Sequence, residues 1–218
     1  MKEEMNQNDY EIVAVSNRKL CTGDFFDCVG SAINDGAKYL ILREKDLAYG
    51  EYTDLAVKTA AFIDSLVNKN ERKDSTEKRN KIVNLILNVG SFTDRNTIRN
   101  LIKETGCKNI HLPFDNIKYN TKLREVHRLT DGLVGMSIHD RAEAVMAEQY
   151  GADYIVAGHI FQTSCKPGLK PRGLDFLAGV CRSVRIPVYA VGGMTKENAP
   201  LAARAGAKGI CIMSGYFN

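Results

Sequence analysis

His159 is the residue whose type and setting most suggest chemistry. It follows the apolar run Tyr154-Ile-Val-Ala157 and Gly158, at what should be the end of a strand. Imidazole titrates near neutrality and can take a proton and return it, so the position suits general acid–base work. The competing account is structural packing, and the residue pattern alone leaves both open. Cys165 lies close behind, but nothing nearby in sequence supplies an orienting third group or an oxyanion hole for a Cys–His nucleophilic pair. The other histidines read as structural: His111 precedes Leu112-Pro113, His127 falls in helical sequence, and His139 opens a helix beside Asp140.

Other residues suit an anion. Gly192-Gly193, followed by Thr195, and Met213-Ser214-Gly215 could cradle phosphate, because backbone N–H groups reach an anion closely only where no Cβ intrudes. Glycines that only make tight turns would leave the same text. Arg43 and Lys45 alternate with Glu44, so the two cations share a side: facing inward they form an anion clamp, facing outward they are rim charges. Lys166 is a further cationic candidate. His111, Asp115 and Asn116 cluster in sequence, but Asp115 is the only carboxylate among them, a poor set for magnesium.

These residues need a scaffold, and the pattern of elements supplies one. Short apolar runs recur at Ile12-Val15, Tyr39-Leu42, Ile82-Leu87, Asn109-Leu112, Leu133-Ile138, Tyr154-Ala157, Pro187-Val191 and Gly209-Met213. They lack clean alternation, as strands covered on both faces do. Helical spacing separates them at Phe25-Asp35, Asp54-Val67, Asn96-Thr105, Arg141-Tyr150, Leu174-Val184 and Lys196-Ala205. Gly36, Gly151 and Gly206 each stand where a helix end needs a left-handed residue. Repeated strand–helix units predict a (β/α)8 TIM barrel, an α/β fold whose active site lies at the C-terminal ends of the strands. The runner-up is an open doubly wound sheet, but the first turn, Ser16-Asn17-Arg18-Lys19, carries no G-x-G-x-x-G.

Composition agrees with one domain over residues 1–218. The chain has 44% hydrophobic and 26% charged residues and a formal charge of +4, which excludes a disordered chain and a polycationic nucleic-acid binder. The six cysteines form no C-x-x-C pair or zinc-like spacing and read as free thiols in a reducing cytoplasm. Met1 to Asp9 has no apolar core, so no secretory signal is expected, and no apolar run approaches the roughly 18 residues of a spanning helix. A cytoplasmic protein with no nucleic-acid or membrane partner is the expectation. The polar stretch from Asn68 to Lys81 reads as a solvated helix end or loop.

From the first strand to Ser214 the chain resembles the thiamine phosphate synthase superfamily. The run Gly151-Ala-Asp-Tyr-Ile-Val-Ala-Gly-His-Ile-Phe-Gln-Thr-Ser-Cys-Lys166 carries the likeness, with Ile186-Pro-Val-Tyr-Ala-Val-Gly-Gly193 and Glu197-Asn198. The resemblance implies a TIM barrel. The synthase joins a pyrimidine diphosphate to a thiazole phosphate with magnesium. Arg43 and Lys45 match its basic strand-end motif, and Ser137, Thr163, Lys166 and Gly193 match positions that hold its substrates. Three departures stand out. Leu87-Asn88-Val89-Gly90 stands where the family has an Asn-Asp pair, so that carboxylate is missing, Asn116 replaces a second metal-binding carboxylate, and Gly158-His159 replaces a Gly-Pro pair, with a shortened loop after it.

The last departure resembles the TenI branch, the thiazole tautomerases, in which the histidine at this position is the acid–base catalyst. The resemblance therefore implies an isomerase that aromatises a thiazole carboxylate phosphate, with no metal or redox cofactor. It assigns His159 the proton shuttle, Gly193, Ser214 and Gly215 the phosphate, and Arg43, Lys45 and Lys166 the anionic groups. Gly192, Met213, Ser137 and Thr163 complete the expected binding set, and a homodimer is possible because barrels of this family often pair. The alternatives are a synthase with relocated magnesium ligands, using Asp94 or Asp115, and a non-catalytic sensor of thiamine precursors.

Overall fold

A computed structural model describes residues 10–71, 83–90, 92, 94–114, 122–163, 165 and 168–218. Its strands are β1 (Glu11–Val15), β2 (Tyr39–Leu42), β3 (Asn84–Asn88), β4 (Asn109–Pro113), β5 (Val134–Ile138), β6 (Tyr154–Gly158), β7 (Val188–Val191) and β8 (Gly209–Ile212). Its helices are α1 (Phe25–Asn34), α2 (Tyr49–Glu71), α3 (Arg95–Thr105), α4 (Lys122–His127), α5 (Arg141–Gln149), α6 (Gly173–Ser183) and α7 (Ala199–Arg204), preceded by a 3-10 turn at Arg18–Leu20. The strands follow one another in chain order around a closed barrel, the expected (β/α)8 architecture. Every residue of β6 and β8 is buried, which is why these strands read as continuous apolar runs. Gly36, Gly151 and Gly206 have φ of 98°, 94° and 100°, the left-handed helix ends that the sequence called for.

Two helices differ from expectation for identifiable reasons. Helix α2 begins at Tyr49, several residues before the predicted start, because Tyr52 is fully buried and donates its hydroxyl to Leu42 O at 2.9 Å. Helix α7 begins only at Ala199, because the Asn198 side chain accepts from Thr195 N at 2.9 Å and draws residues 195–198 into a turn. The short α4 ends at His127, which the sequence pattern put in a helix without giving its bounds, and the 3-10 turn had no counterpart there. Ile82 and residues 72–81 of the polar stretch lie outside the described residues.

The chain packs as two compact units. The first comprises Met1–Val13, Leu112–Arg124 and Val134–Ile212. In it β5 to β8 form a parallel ladder that pairs Gly135 with Tyr154, Ile155 with Val188 and Tyr189 with Gly209. A Cβ on Gly135 would run into the Tyr154 ring, which meets Tyr189 edge-on with centroids 5.7 Å apart. The second unit comprises Ala14–His111, Glu125–Leu133 and Met213–Asn218. There β2 pairs with β3 and β3 with β4 in parallel. Asn109 braces this ladder, donating its amide to Leu85 O at 2.9 Å and accepting from Leu133 N at 3.0 Å.

Candidate functional site

In the first unit the end of β6 is fixed from several directions. The Gly158–His159 peptide is cis. Beyond the strand, pairing with β7 continues: Ile160 N donates to Val191 O and Phe161 N to Gly192 O, both at 2.9 Å. The chain then returns to its starting point, where Arg172 N donates to His159 O and Gly173 N to Ile160 O, both at 3.0 Å. The loop between β6 and α6 therefore leaves and re-enters at one place.

His159 sits inside this clamp, only 6% exposed. Its Nε2 lies 3.3 Å from the carbonyl oxygen of Leu169, and Nδ1 has no partner among the described residues. A buried polar atom without a partner is costly in a folded protein, so such an atom points to a ligand. Gly192 and Gly193, with φ of 98° and 61°, press against the same loop. A Cβ on Gly192 would overlap His159, approaching its Cα to 2.8 Å, and one on Gly193 would approach Phe161 Cβ to 2.9 Å. Close packing alone thus requires both glycines. Asn198 completes the turn by donating its amide to Gly193 O at 2.8 Å.

The remaining predicted residues of this unit are placed as follows. Ser137 is half-buried on β5, in register with Val156, and half-buried Thr163 accepts from Cys165 N at 3.3 Å. Lys166 lies outside the described residues.

In the second unit the sequence reading missed the central group, Glu44. Alternation made it a spacer between two cations, but it is the buried member of the trio, 4% exposed, whereas Arg43 is half-buried and Lys45 exposed. Ser16 Oγ donates to Glu44 at 2.6 Å, and Arg18 N donates to its two oxygens at 3.1 and 3.2 Å. Burial pushes its carboxyl above the usual range, while the bonds from Ser16 and Arg18 pull the other way. Ser16 Oγ also accepts from Arg43 N at 2.8 Å, so one hydroxyl ties the end of β1 to the end of β2. The signal that could have revealed this was Ser16-Asn17-Arg18 at the end of the first strand.

His111 is fully packed on β4, as expected, and its imidazole is pushed down to about 3 by burial and then by the Arg43 guanidinium. Half-buried Met213 accepts from Tyr216 N and Phe217 N, both at 3.0 Å, while Ser214 and Gly215 are exposed in that turn. Gly215 lines a surface cleft of about 790 Å³ with Phe26, Ser31, Phe62 and Tyr216.

Comparison with known proteins adds to this geometry. The family described as TMP-TENI, thiamine monophosphate synthase, matches residues 96–216, more than half of the chain. A thiamine-phosphate synthase of Fusobacterium nucleatum subsp. nucleatum is 31% identical over 98% of this chain and 92% of its own length. The chain belongs to the thiamine monophosphate synthase family. Membership places it in thiamine biosynthesis. A putative thiamine-phosphate synthase 2 of Aquifex aeolicus is also 31% identical, over 94% of this chain and 96% of its own. Among solved structures, thiamine phosphate pyrophosphorylase from Pyrococcus furiosus superposes with a TM-score of 0.66 at 20% identity, covering 95% of this chain and 87% of that one, which speaks to fold alone. The two sequence relatives bear the synthase name, a transferase, and none of the three proteins is named an isomerase.

The magnesium that the synthases' chemistry implies finds a poor donor set in the described residues. Asn88, at the end of β3, is a neutral amide whose Oδ1 already accepts from Gly90 N at 3.1 Å, and the next residue is Val89, which offers no ligand. Asp94, an alternative ligand, caps α3 through Thr97 N at 3.0 Å. No group of three or more His, Cys, Asp or Glu side chains among the described residues could hold a metal. Asp115 and Asn116 lie outside them. The described residues do not fit the ion.

Proposed function

We propose that this family member is a thiazole tautomerase, an isomerase that converts the non-aromatic tautomer of a thiazole carboxylate phosphate into its aromatic isomer. The observation that carries this reading is the buried His159 ring with one nitrogen unpartnered among the described residues. The reaction asks for little more than such a group. A base removes the ring proton, the bonding pair enters the ring, and the exocyclic double bond takes the proton back, so no net charge or electron is transferred. Aromatisation drives the change. A positioned acid–base group contributes about 10² to 10⁴ in rate to a step of this kind. Backbone N–H groups around Gly192 and Gly193 are assigned to the phosphate, because both glycines hold positive φ in a turn, where successive N–H groups can converge on an anion.

A second reading is thiamine-phosphate synthase itself, joining a pyrimidine diphosphate to the thiazole phosphate. The names of the full-length relatives favour it over the tautomerase. The lack of a carboxylate at Asn88-Val89 argues against it, because a diphosphate leaving group needs its charge offset.

Proton NMR of the thiazole tautomer with catalytic protein, beside His159→Ala and a parallel synthase assay with magnesium, separates the two. Metal-free aromatisation by the wild type and its loss in His159→Ala is the expected result. Magnesium-dependent coupling without tautomer turnover would replace the first reading with the second.

A further inference from the structure

Imidazole has two ring nitrogens, and the neutral form carries a proton on only one. A backbone carbonyl is an acceptor only, so whichever nitrogen faces it must be the donor. Nε2 of His159 lies 3.3 Å from Leu169 O, and Nδ1 has no partner among the described residues. The ring has little room to turn over. It is 94% removed from solvent, its backbone carbonyl is held by Arg172 N, and Gly192 lies so close to its Cα and Cβ that no side chain would fit between them.

We infer that His159 works as its Nε2–H tautomer, with Nδ1 as the nitrogen that takes and returns the substrate proton and the Leu169 carbonyl as the group that positions it. The inference rests on the tautomerase reading for its chemistry, but the tautomer is a property of the protein alone.

The proton balance follows directly. Nδ1 accepts the ring proton, the ring becomes an imidazolium with both nitrogens protonated, and Nδ1 then delivers that proton to the exocyclic carbon while Nε2 keeps its own. During the cationic stage the bond to Leu169 O becomes charge-assisted and therefore stronger. Leu169 thus performs with a backbone dipole the orienting task that a buried carboxylate performs in hydrolytic triads. Its side chain, 56% exposed, is not needed for this, so the identity of the residue at 169 is free to vary while its carbonyl is not.

The test is nitrogen NMR of protein labelled with ¹⁵N in its histidines, read through long-range proton–nitrogen correlations. The protein has four histidines, so the His159 pattern is the one missing from His159→Ala, with His159→Gln as a second assignment variant should the alanine form fold poorly. Without ligand, at a pH where the ring is neutral, the expected pattern has the proton on Nε2 and an imine-type Nδ1. A proton on Nδ1, or an even mixture of the two forms, overturns the inference.

Addition of the aromatic thiazole carboxylate phosphate should then shift the Nδ1 resonance and leave Nε2 nearly unmoved. A shift confined to Nε2 overturns the assignment of Nδ1 as the working nitrogen. No shift at either nitrogen counts against the tautomerase reading and the catalytic role of Nδ1 with it, and the ligand-free tautomer pattern tells that failure apart from a wrong tautomer.

Discussion

Replacing Gly192 by alanine tests how tightly the His159 ring depends on a residue that carries no functional group. The new Cβ would overlap His159 Cβ and come to 2.8 Å from His159 Cα and 3.2 Å from Ile160 N. Ordinary carbon–carbon contact is about 3.5–4.0 Å, so the shortfall against His159 Cα is about 1 Å. The neighbours are main chain, which cannot swing aside as the tip of a flexible side chain can. The φ of 98° adds strain of its own, of order 1–3 kcal/mol. Overpacking of this kind costs a further ~1–3 kcal/mol. A loss of about 2–6 kcal/mol, or roughly 4–24 °C in melting temperature for a chain of this size, is expected. Because relief requires moving His159 by about 1 Å, turnover should fall on the order of 10²-fold, more in kcat than in KM. Calorimetry and tautomer turnover measured on the same preparation decide it. A melting point within a degree of wild type, with kcat unchanged, would refute the claim that the glycine holds the ring in place.

Two further outcomes follow from buried groups in the second unit. Glu44→Ala strands the donors Ser16 Oγ and Arg18 N, and leaving a buried donor unsatisfied costs about 1–3 kcal/mol; a urea midpoint implying less than about 0.5 kcal/mol would show that the network is not structural. His111, held near 3 when folded against 6.5 unfolded, leaves the unfolded chain with the extra proton between those values, so stability falls as pH drops from about 6.5 towards 3. The difference between pH 7 and pH 5 is about 2 kcal/mol, and it should be absent in His111→Leu; identical pH dependence in the two proteins would show that burial does not hold the ring neutral.

Much of the scaffold was legible because the barrel writes itself in short apolar runs and glycine helix ends, both of which depend on neighbours close in sequence. Tyr39–Leu42 was readable to the residue. Its boundaries failed where a distant contact decided them, as at Tyr52, whose hydroxyl extends α2 towards its start, and at Asn198, whose side chain delays α7. The same division holds at the candidate site. His159 was visible from its place after an apolar strand, and the close approach of Gly192 was not, because it depends on a loop more than thirty residues away. Glu44 was overlooked for a further reason: a charged residue at a strand end reads as solvated, and only Ser16 and Arg18, brought beside it by folding, make its burial tolerable.

The return of the chain to its own starting point after β6 has an evolutionary consequence. Arg172 N and Gly173 N fasten the far end of the loop to the carbonyls of His159 and Ile160, so the His159 backbone is anchored to the barrel independently of how much chain is paid out before the return segment. Doubling a flexible loop costs only about 0.6 kcal/mol in closure entropy. Insertions and deletions can therefore accumulate between Phe161 and Leu169, changing what the loop reaches, while the ring stays against the Leu169 carbonyl. A lineage built on this barrel can explore new ligands by lengthening or trimming one exchangeable segment without rebuilding the clamp around His159 beneath it.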